Sequence, residues 1–487
     1  MAKKTDRICI IGGGPAGLSM AMYLEKKGFT NYEIYERLNK VGGKAYSPKI
    51  KVNTGEEKTF ETGAIMGAIT YHAVSEMEEF GGYYHKGPDF KPGEPNMRRE
   101  FRNTDGSKDD PFNPKFNFSI GKTINLLKLK KQFKKLKHLM ATKYKGYDCY
   151  GHVGVAQGKY SGISKVVKGY DEESTEEVSF PNYVKGENPN LKDLTLSFSD
   201  FCKLNKVEEV QRIWIAPYTS FGYGYFDEIP AAYVMKYLDV TTAAEFVKLR
   251  LWTWEDGTQA IYTHVNEKLA HPAHLNTEVV KVVREDGKKI QVTLKENGTE
   301  RVEEFDKLIV TTPLDHFKDF ADSTNEEKEL FSKIRHEEYV DFIATFDENK
   351  SPVISGYLLE NMKKENLGHA MVYYNRWEYL KTNCPCTVYA LRNHVDMEDV
   401  PYDTTISNMM KDMEKVGFPV KERLFEQESY YCPHVTPKDY ADGWYDKLDA
   451  LQGTKNTYYA GEILSFGDME DTCAASKDIV SRFFNEE

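Results

Sequence analysis

Cysteine is scarce. The chain of 487 residues has seven, an odd and scattered set in which Cys384 and Cys386 are the only close pair, with no second Cys/His pair at zinc spacing nearby. This excludes a disulfide scaffold and a zinc-ribbon site, and the thiols are expected to be reduced. Positive charge is also short: Lys+Arg 65 against Asp+Glu 76 leaves a formal net charge of −11, which excludes a general nucleic-acid binder relying on a broad positive field. No long apolar run is present either. The best candidate, residues 8–24, is short of a membrane span and is interrupted by Gly12, Gly13, Gly14, Pro15 and Gly17. Residues 1–6 lack the positive, apolar, small-residue order of an export signal, so the expected compartment is the cytoplasm.

What is present is an ordinary globular composition, 40% hydrophobic and 29% charged, long enough for two or three packed domains. Aromatics are in surplus at 13%, with Tyr 32 and Phe 26, which suggests a large cavity walled by rings. Residues 218–226 (YTSFGYGYF) and 251–254 (LWTW) concentrate such rings and are expected to form an apolar wall.

The N-terminus carries the clearest motif. Residues 7–11 read as a short buried strand, 12–17 as a tight turn and 18–27 as a helix closed by Gly28, before a second strand at 32–35. Glu36 ends that strand, 19 residues after Gly17. This is dinucleotide-binding spacing: Gly12 permits the turn, Gly14 admits a pyrophosphate, Gly17 lets helix and strand close up, and Glu36 accepts ribose hydroxyls. The run Val41, Gly42, Gly43, Lys44 that follows favours FAD over NAD. The carboxylate at 36 disfavours a 2′-phosphate. An FAD fold of this kind also needs a last strand and helix at the far end, and residues 457–462 (TYYAGE) and 478–484 supply them, with Gly461 and Glu462 against the cofactor. Between these ends, residues 278–283, 290–294 and 307–311 read as strands in hairpin order.

The expected fold class is therefore α/β: a discontinuous Rossmann-like FAD-binding domain with a substrate domain and a mainly helical cap. The FAD domain takes residues 4–89, 251–313 and 451–487. The cap takes 90–250, with a surface insertion near 155–190, and the substrate domain takes 314–450. Residues 122–145 hold nine lysines and no acid, with Leu126, Leu129, Phe133, Leu136 and Met140 at helical spacing. That pattern serves either a solvated face packed on the cap or peripheral contact with a membrane surface. Arg98 and Arg99 are adjacent in NMRREF, where one can clamp a carboxylate bidentately.

The runs IIGGGPAGL, VGGK, ETGAIMG, MRREF, ATKYKGYD, FGYGYFDEIPAAYV, LWTWEDGTQA, GHAMVYYNRW and YYAGEILSFG resemble, nearly end to end, the FAD-dependent polyenoic fatty acid isomerases. Those linoleate isomerases fall within the flavin-containing amine oxidoreductase superfamily. The resemblance implies the amine oxidase type of FAD domain, with Pro15, Ala16, Arg37, Gly63, Ala64, Ile65, Met66 and Val279 joining Gly12, Gly14, Gly17, Glu36, Gly43, Lys44, Gly461 and Glu462 around the cofactor. It implies that Arg99 holds the carboxylate of a polyunsaturated fatty acid such as linoleate and that Phe246 gates the tunnel. The implied chemistry is hydride abstraction and return at the flavin, without a metal and without a catalytic side chain. Residues 155–190 are largely extra relative to the bacterial isomerase, and the lysine-rich helix is more basic than its counterpart. Two other readings remain open here: an amine or amino-acid oxidase or desaturase with net oxidation, and a flavin- or lipid-binding protein without turnover.

Overall fold

The computed structural model describes residues 2–68, 71–83, 99–113, 115, 119–145, 147, 188–238, 243, 246–247, 251–346, 355–377, 385–465 and 467–485. The expected insertion at 155–190, all but its last three residues, and Arg98 and Cys384 lie outside the described residues.

A parallel sheet holds the molecule's two ends together. Its strands run in the order Thr457–Tyr459, Lys307–Val310, Ile8–Ile11, Tyr32–Tyr35, with Ile8 opposite both Lys307 and Tyr32. Ile8–Ile11 is apolar and buried at every position, as a strand covered on both faces requires. The helices Pro15–Lys26 and Met469–Phe483 pack on one another, Ser476 Oγ donating to Ala16 O at 3.0 Å. The C-terminal helix thus starts nine residues before the predicted 478. Asp468 caps it by accepting from Asp471 N at 2.8 Å, a start signal legible in GDMED.

One strand expectation is corrected. Residues 307–311 do not continue a hairpin. Thr277–Val283, Ile290–Glu296 and Thr299–Phe305 form the antiparallel three, and Lys307–Val310 departs for the parallel sheet. The cause is the Asn297-Gly298 turn: both residues have positive φ, 51° and 80°, the geometry of a two-residue hairpin turn. It brings back the mostly exposed Thr299–Phe305, which hydrophobicity alone does not mark as a strand.

A second sheet of six strands runs in the order Val420–His434, Arg335–Phe346, Cys386–Leu391, Val372–Tyr374, Ser355–Leu358, Arg99–Arg102. Its edge strand comes from the segment read as cap, pairing parallel with Ser355 opposite Arg99, so the two insertions share one sheet. Helices Ile120–Ala141, Phe198–Asn205, Gln211–Trp214 and Ala231–Tyr237 lie in the segment read as cap. Among the described residues, no helix is long and apolar enough to cross a membrane.

Candidate active site

The glycine turn is built by steric exclusion. Gly12 sits at φ +108°, and a Cβ on Gly17 would lie 1.9 Å from Gly12 O, so strand and helix close to a separation that no side chain permits. Gly14 differs. Its Cβ would meet only Gly43, at 3.6 Å from Cα, leaving a strip between two glycine backbones. Pro15 opens the helix at Gly14, which has no side-chain cap, and no acid stands in the first turn. The first-turn amides, including those of Ala16 and Gly17, therefore remain available to an anion. Glu36 is buried beside this turn, its carboxylate accepting from Gly13 N and Leu38 N, each at 2.8 Å.

Residues 274–277 are tied to 36–38 through Glu36 N to His274 O at 3.0 Å and Thr277 N to Glu36 O at 2.9 Å. This places the half-buried Val279 near Glu36, and Arg37 beside it is exposed. Lys44 Nζ pairs with Glu462 Oε2 at 2.5 Å, and Glu462 Oε1 accepts from Cys432 N at 3.1 Å. Gly461, at φ +101°, lies against Thr311. The loops on this side are pinned from below by a buried pair, Arg376 Nη1 to Glu61 Oε1 at 2.5 Å, both side chains fully buried. Ser47 and the amide of Thr258 also donate to the Glu61 carboxylate, at 2.6 and 3.1 Å.

Gly63, Ala64, Ile65 and Met66 form one wall of a cavity of about 70 Å³. Phe221, Tyr223, Tyr237, Phe246, Leu251 and Tyr431 complete it, with Tyr71, Asp468 and Met469 at the C-terminal helix. The rings pack on one another: Tyr223 and Tyr237 are 4.2 Å apart between centroids, and Tyr223 and Tyr431 are 5.5 Å apart. Burial pushes the phenols of Tyr71, Tyr223, Tyr237 and Tyr431 up, and it raises the Asp468 carboxyl as well, helped by Asp471. All five are thus shifted toward their neutral forms. The expected aromatic wall is only partly this one. Trp252 and Trp254 pack behind the cavity against Gly67, where a Cβ would come within 2.7 Å of both rings. Tyr225 turns instead to His394, and Phe226 to Phe198.

At the far side, the structure brings Arg99 and Phe246 together. The Arg99 guanidinium lies 5.3 Å from the Phe246 ring centroid and 5.4 Å from those of Phe101 and Phe112. Its Nη1 and Nη2 donate to the carbonyls of Phe246 and Val247 at 3.2 and 3.3 Å. Burial draws its pKa down, and among the described residues no carboxylate pairs with it.

The sequence family described as flavin containing amine oxidoreductase matches residues 15–473. The chain belongs to that family. A CLA-producing fatty acid isomerase from P. acnes is similar in structure, with a TM-score of 0.83 and 39% identity over 100% of both chains. Putrescine oxidase, at 13% identity and a TM-score of 0.66 over 98% of this chain and 99% of that one, shares the fold. A stretch of 42 residues is 55% identical to the polyenoic fatty acid isomerase of Ptilota filicina, and spans 9% of this chain and 8% of that protein. FAD is the family's cofactor, and the residues here fit it: a bare glycine strip, uncapped helix amides, and a buried carboxylate at the end of the second strand. Tyr71, Tyr237, Tyr431 and Asp468 were not anticipated from sequence. The tyrosines carry no local signal, whereas Asp468 follows from its capping pattern.

Proposed function

We propose that this flavoprotein is an isomerase that moves a double bond along a polyunsaturated fatty acid to give a conjugated product. One observation supports this above the others: a half-buried guanidinium without a carboxylate partner among the described residues stands against Phe246, one of the rings that line an apolar cavity. The other side of that cavity is the cofactor wall. The similarity to the P. acnes enzyme over the whole chain supports the same reading.

FAD, when bound, can accept a hydride from an allylic carbon and return it to another, which shifts a double bond without net oxidation. The chain's own residues do the rest. Arg99 uses two of its five N–H groups on backbone carbonyls and keeps the others for a carboxylate, which anchors one end of the substrate. Phe246 covers that end. The ring walls exclude water and offer π faces to positive charge developing on the chain. Burial shifts the phenols and the Asp468 carboxyl that line the cavity toward their neutral forms. Gly12, Gly14, Pro15, Ala16, Gly17, Glu36, Arg37, Gly43, Lys44, Val279, Gly461 and Glu462 are proposed to hold the cofactor, with residues 63–66 along it.

The deciding experiment mixes the purified yellow protein anaerobically with linoleate and reads the product by gas chromatography and diene absorbance. A conjugated isomer without added acceptor supports the proposal. Product only in air, with one hydrogen peroxide per turnover, transfers the chain to the oxidases.

A further inference from the structure

The helix Ile120–Ala141 has two different faces. Leu129 and Leu136 are buried, and Leu126, Phe133 and Met140 pack partly buried against the core. The opposite stripe begins with Ile120, Ile124 and Leu127, exposed by 72%, 58% and 60%, and continues at the same i, i+3, i+4 spacing with Lys131 and Lys134. Lys128 and Lys143 are neutralised by Glu209 at 2.7 Å and Asp193 at 2.8 Å, and Lys122 by Asp109. Lys130, Lys131, Lys134 and Lys137 are exposed, and no carboxylate pairs with them among the described residues. Three exposed aliphatic side chains beside four lysines without a carboxylate partner among the described residues, on a chain of net charge −11, form a local exception.

We propose that this face docks on an anionic lipid bilayer. The lysines meet the headgroups, and Ile120, Ile124 and Leu127 enter the acyl boundary. A nucleic acid would use the lysines and leave the aliphatics unexplained, whereas a lipid surface uses both. The placement serves the site. Asp109, which binds Lys122, and Pro111, whose carbonyl accepts from Arg212, lead into Phe112, whose ring lies under Arg99. The helix start is thereby tied to the segment beside the cavity's cationic end. That docking feeds a membrane-dissolved acid to Arg99 rests on the function proposed above; the docking itself does not.

The test is co-sedimentation of the flavin-loaded protein with vesicles of phosphatidylcholine, with and without phosphatidylglycerol. Binding is expected only with the anionic lipid, and it weakens as salt is raised. Each lysine near such a surface contributes a factor of about five, so the combined Lys130→Ala, Lys131→Ala, Lys134→Ala and Lys137→Ala variant should bind several hundredfold more weakly. A second variant, Ile124→Ser with Leu127→Ser, keeps the charge and should also lose binding. Both keep the wild-type flavin spectrum and melting temperature, because every altered side chain is exposed. Equal binding to neutral and anionic vesicles, or a four-lysine variant that sediments like wild type, overturns the proposal. So does retention on RNA with no vesicle binding. Docking without any isomerisation of linoleate would leave this inference standing and remove the function proposed above.

Discussion

Arg99→Leu removes the one cation beside the cavity that lacks a carboxylate partner among the described residues, and the structure sets the size of the effect. The guanidinium spends Nη1 and Nη2 on the carbonyls of Phe246 and Val247, so a substrate carboxylate meets the remaining N–H groups at a half-buried place among rings. A hydrogen bond to a charged group contributes about 1.5–3 kcal/mol. The variant should therefore bind linoleate about tenfold to a hundredfold more weakly. Methyl linoleate, which carries no charge, should lose much of the same energy in the unmutated protein. Titration of the flavin absorbance with acid and ester, in wild type and variant, gives all four affinities. The two losses must not add, since each removes the same interaction. Arg99→Lys separates charge from geometry: an ammonium keeps the attraction but cannot bridge both carbonyls and the carboxylate, so it should recover only part of the loss. Equal binding of acid and ester by wild type, together with an unchanged affinity in Arg99→Leu, would show that the carboxylate is held elsewhere.

Gly14→Val should fold but purify colourless, because its Cβ meets only Gly43 at 3.6 Å. Gly17→Ala should lose stability itself, since its Cβ would be 1.9 Å from Gly12 O; a yellow Gly14→Val refutes the placement of the pyrophosphate. Arg376→Leu leaves the buried Glu61 without its cation and should cost about 3–5 kcal/mol in denaturant unfolding, more than the double replacement of both by apolar residues. Burial pushes the His434 imidazole down to about 4, below its ordinary value of about 6.5, so the unfolded chain takes the proton first. Its contribution is complete above that ordinary value and falls by up to about 3 kcal/mol as the pH approaches 4. His434→Gln should therefore flatten the acid limb of melting temperature against pH. Linoleate deuterated at its bis-allylic methylene should give a conjugated product that retains the label at a new carbon. Complete washout to water, with the cavity intact, would instead indicate proton transfer by a side-chain base.

What was legible in the sequence follows from where the physics is local. The glycine turn, its helix and Glu36 lie within one stretch of chain, and steric need assigns each residue type its position, so the cofactor half of the site could be read directly. The C-terminal strand follows from the fold that the first motif demands, while the last helix begins nine residues before its expected start, at the Asp468 cap. The cavity is different. Tyr431 and Tyr237 come from distant elements and meet around Tyr223 only through the tertiary fold. A tyrosine that will line a cavity has the same local pattern as one that will fill a core. Arg99 became interpretable once its strand was seen at the edge of the six-stranded sheet, beside Ser355–Leu358. That edge position places its guanidinium over Phe246 and among rings rather than in solvent. The lysine-rich helix is ambiguous in sequence for a similar reason. Periodicity identifies the face that packs, but only the structure shows that Ile120, Ile124 and Leu127 stay uncovered while neighbouring acids neutralise some of the lysines and leave Lys130, Lys131, Lys134 and Lys137 without a carboxylate partner among the described residues. A solvated lysine face needs no aliphatic residues on its outer stripe, and their exposure is what turns a question of composition into one that vesicles can answer.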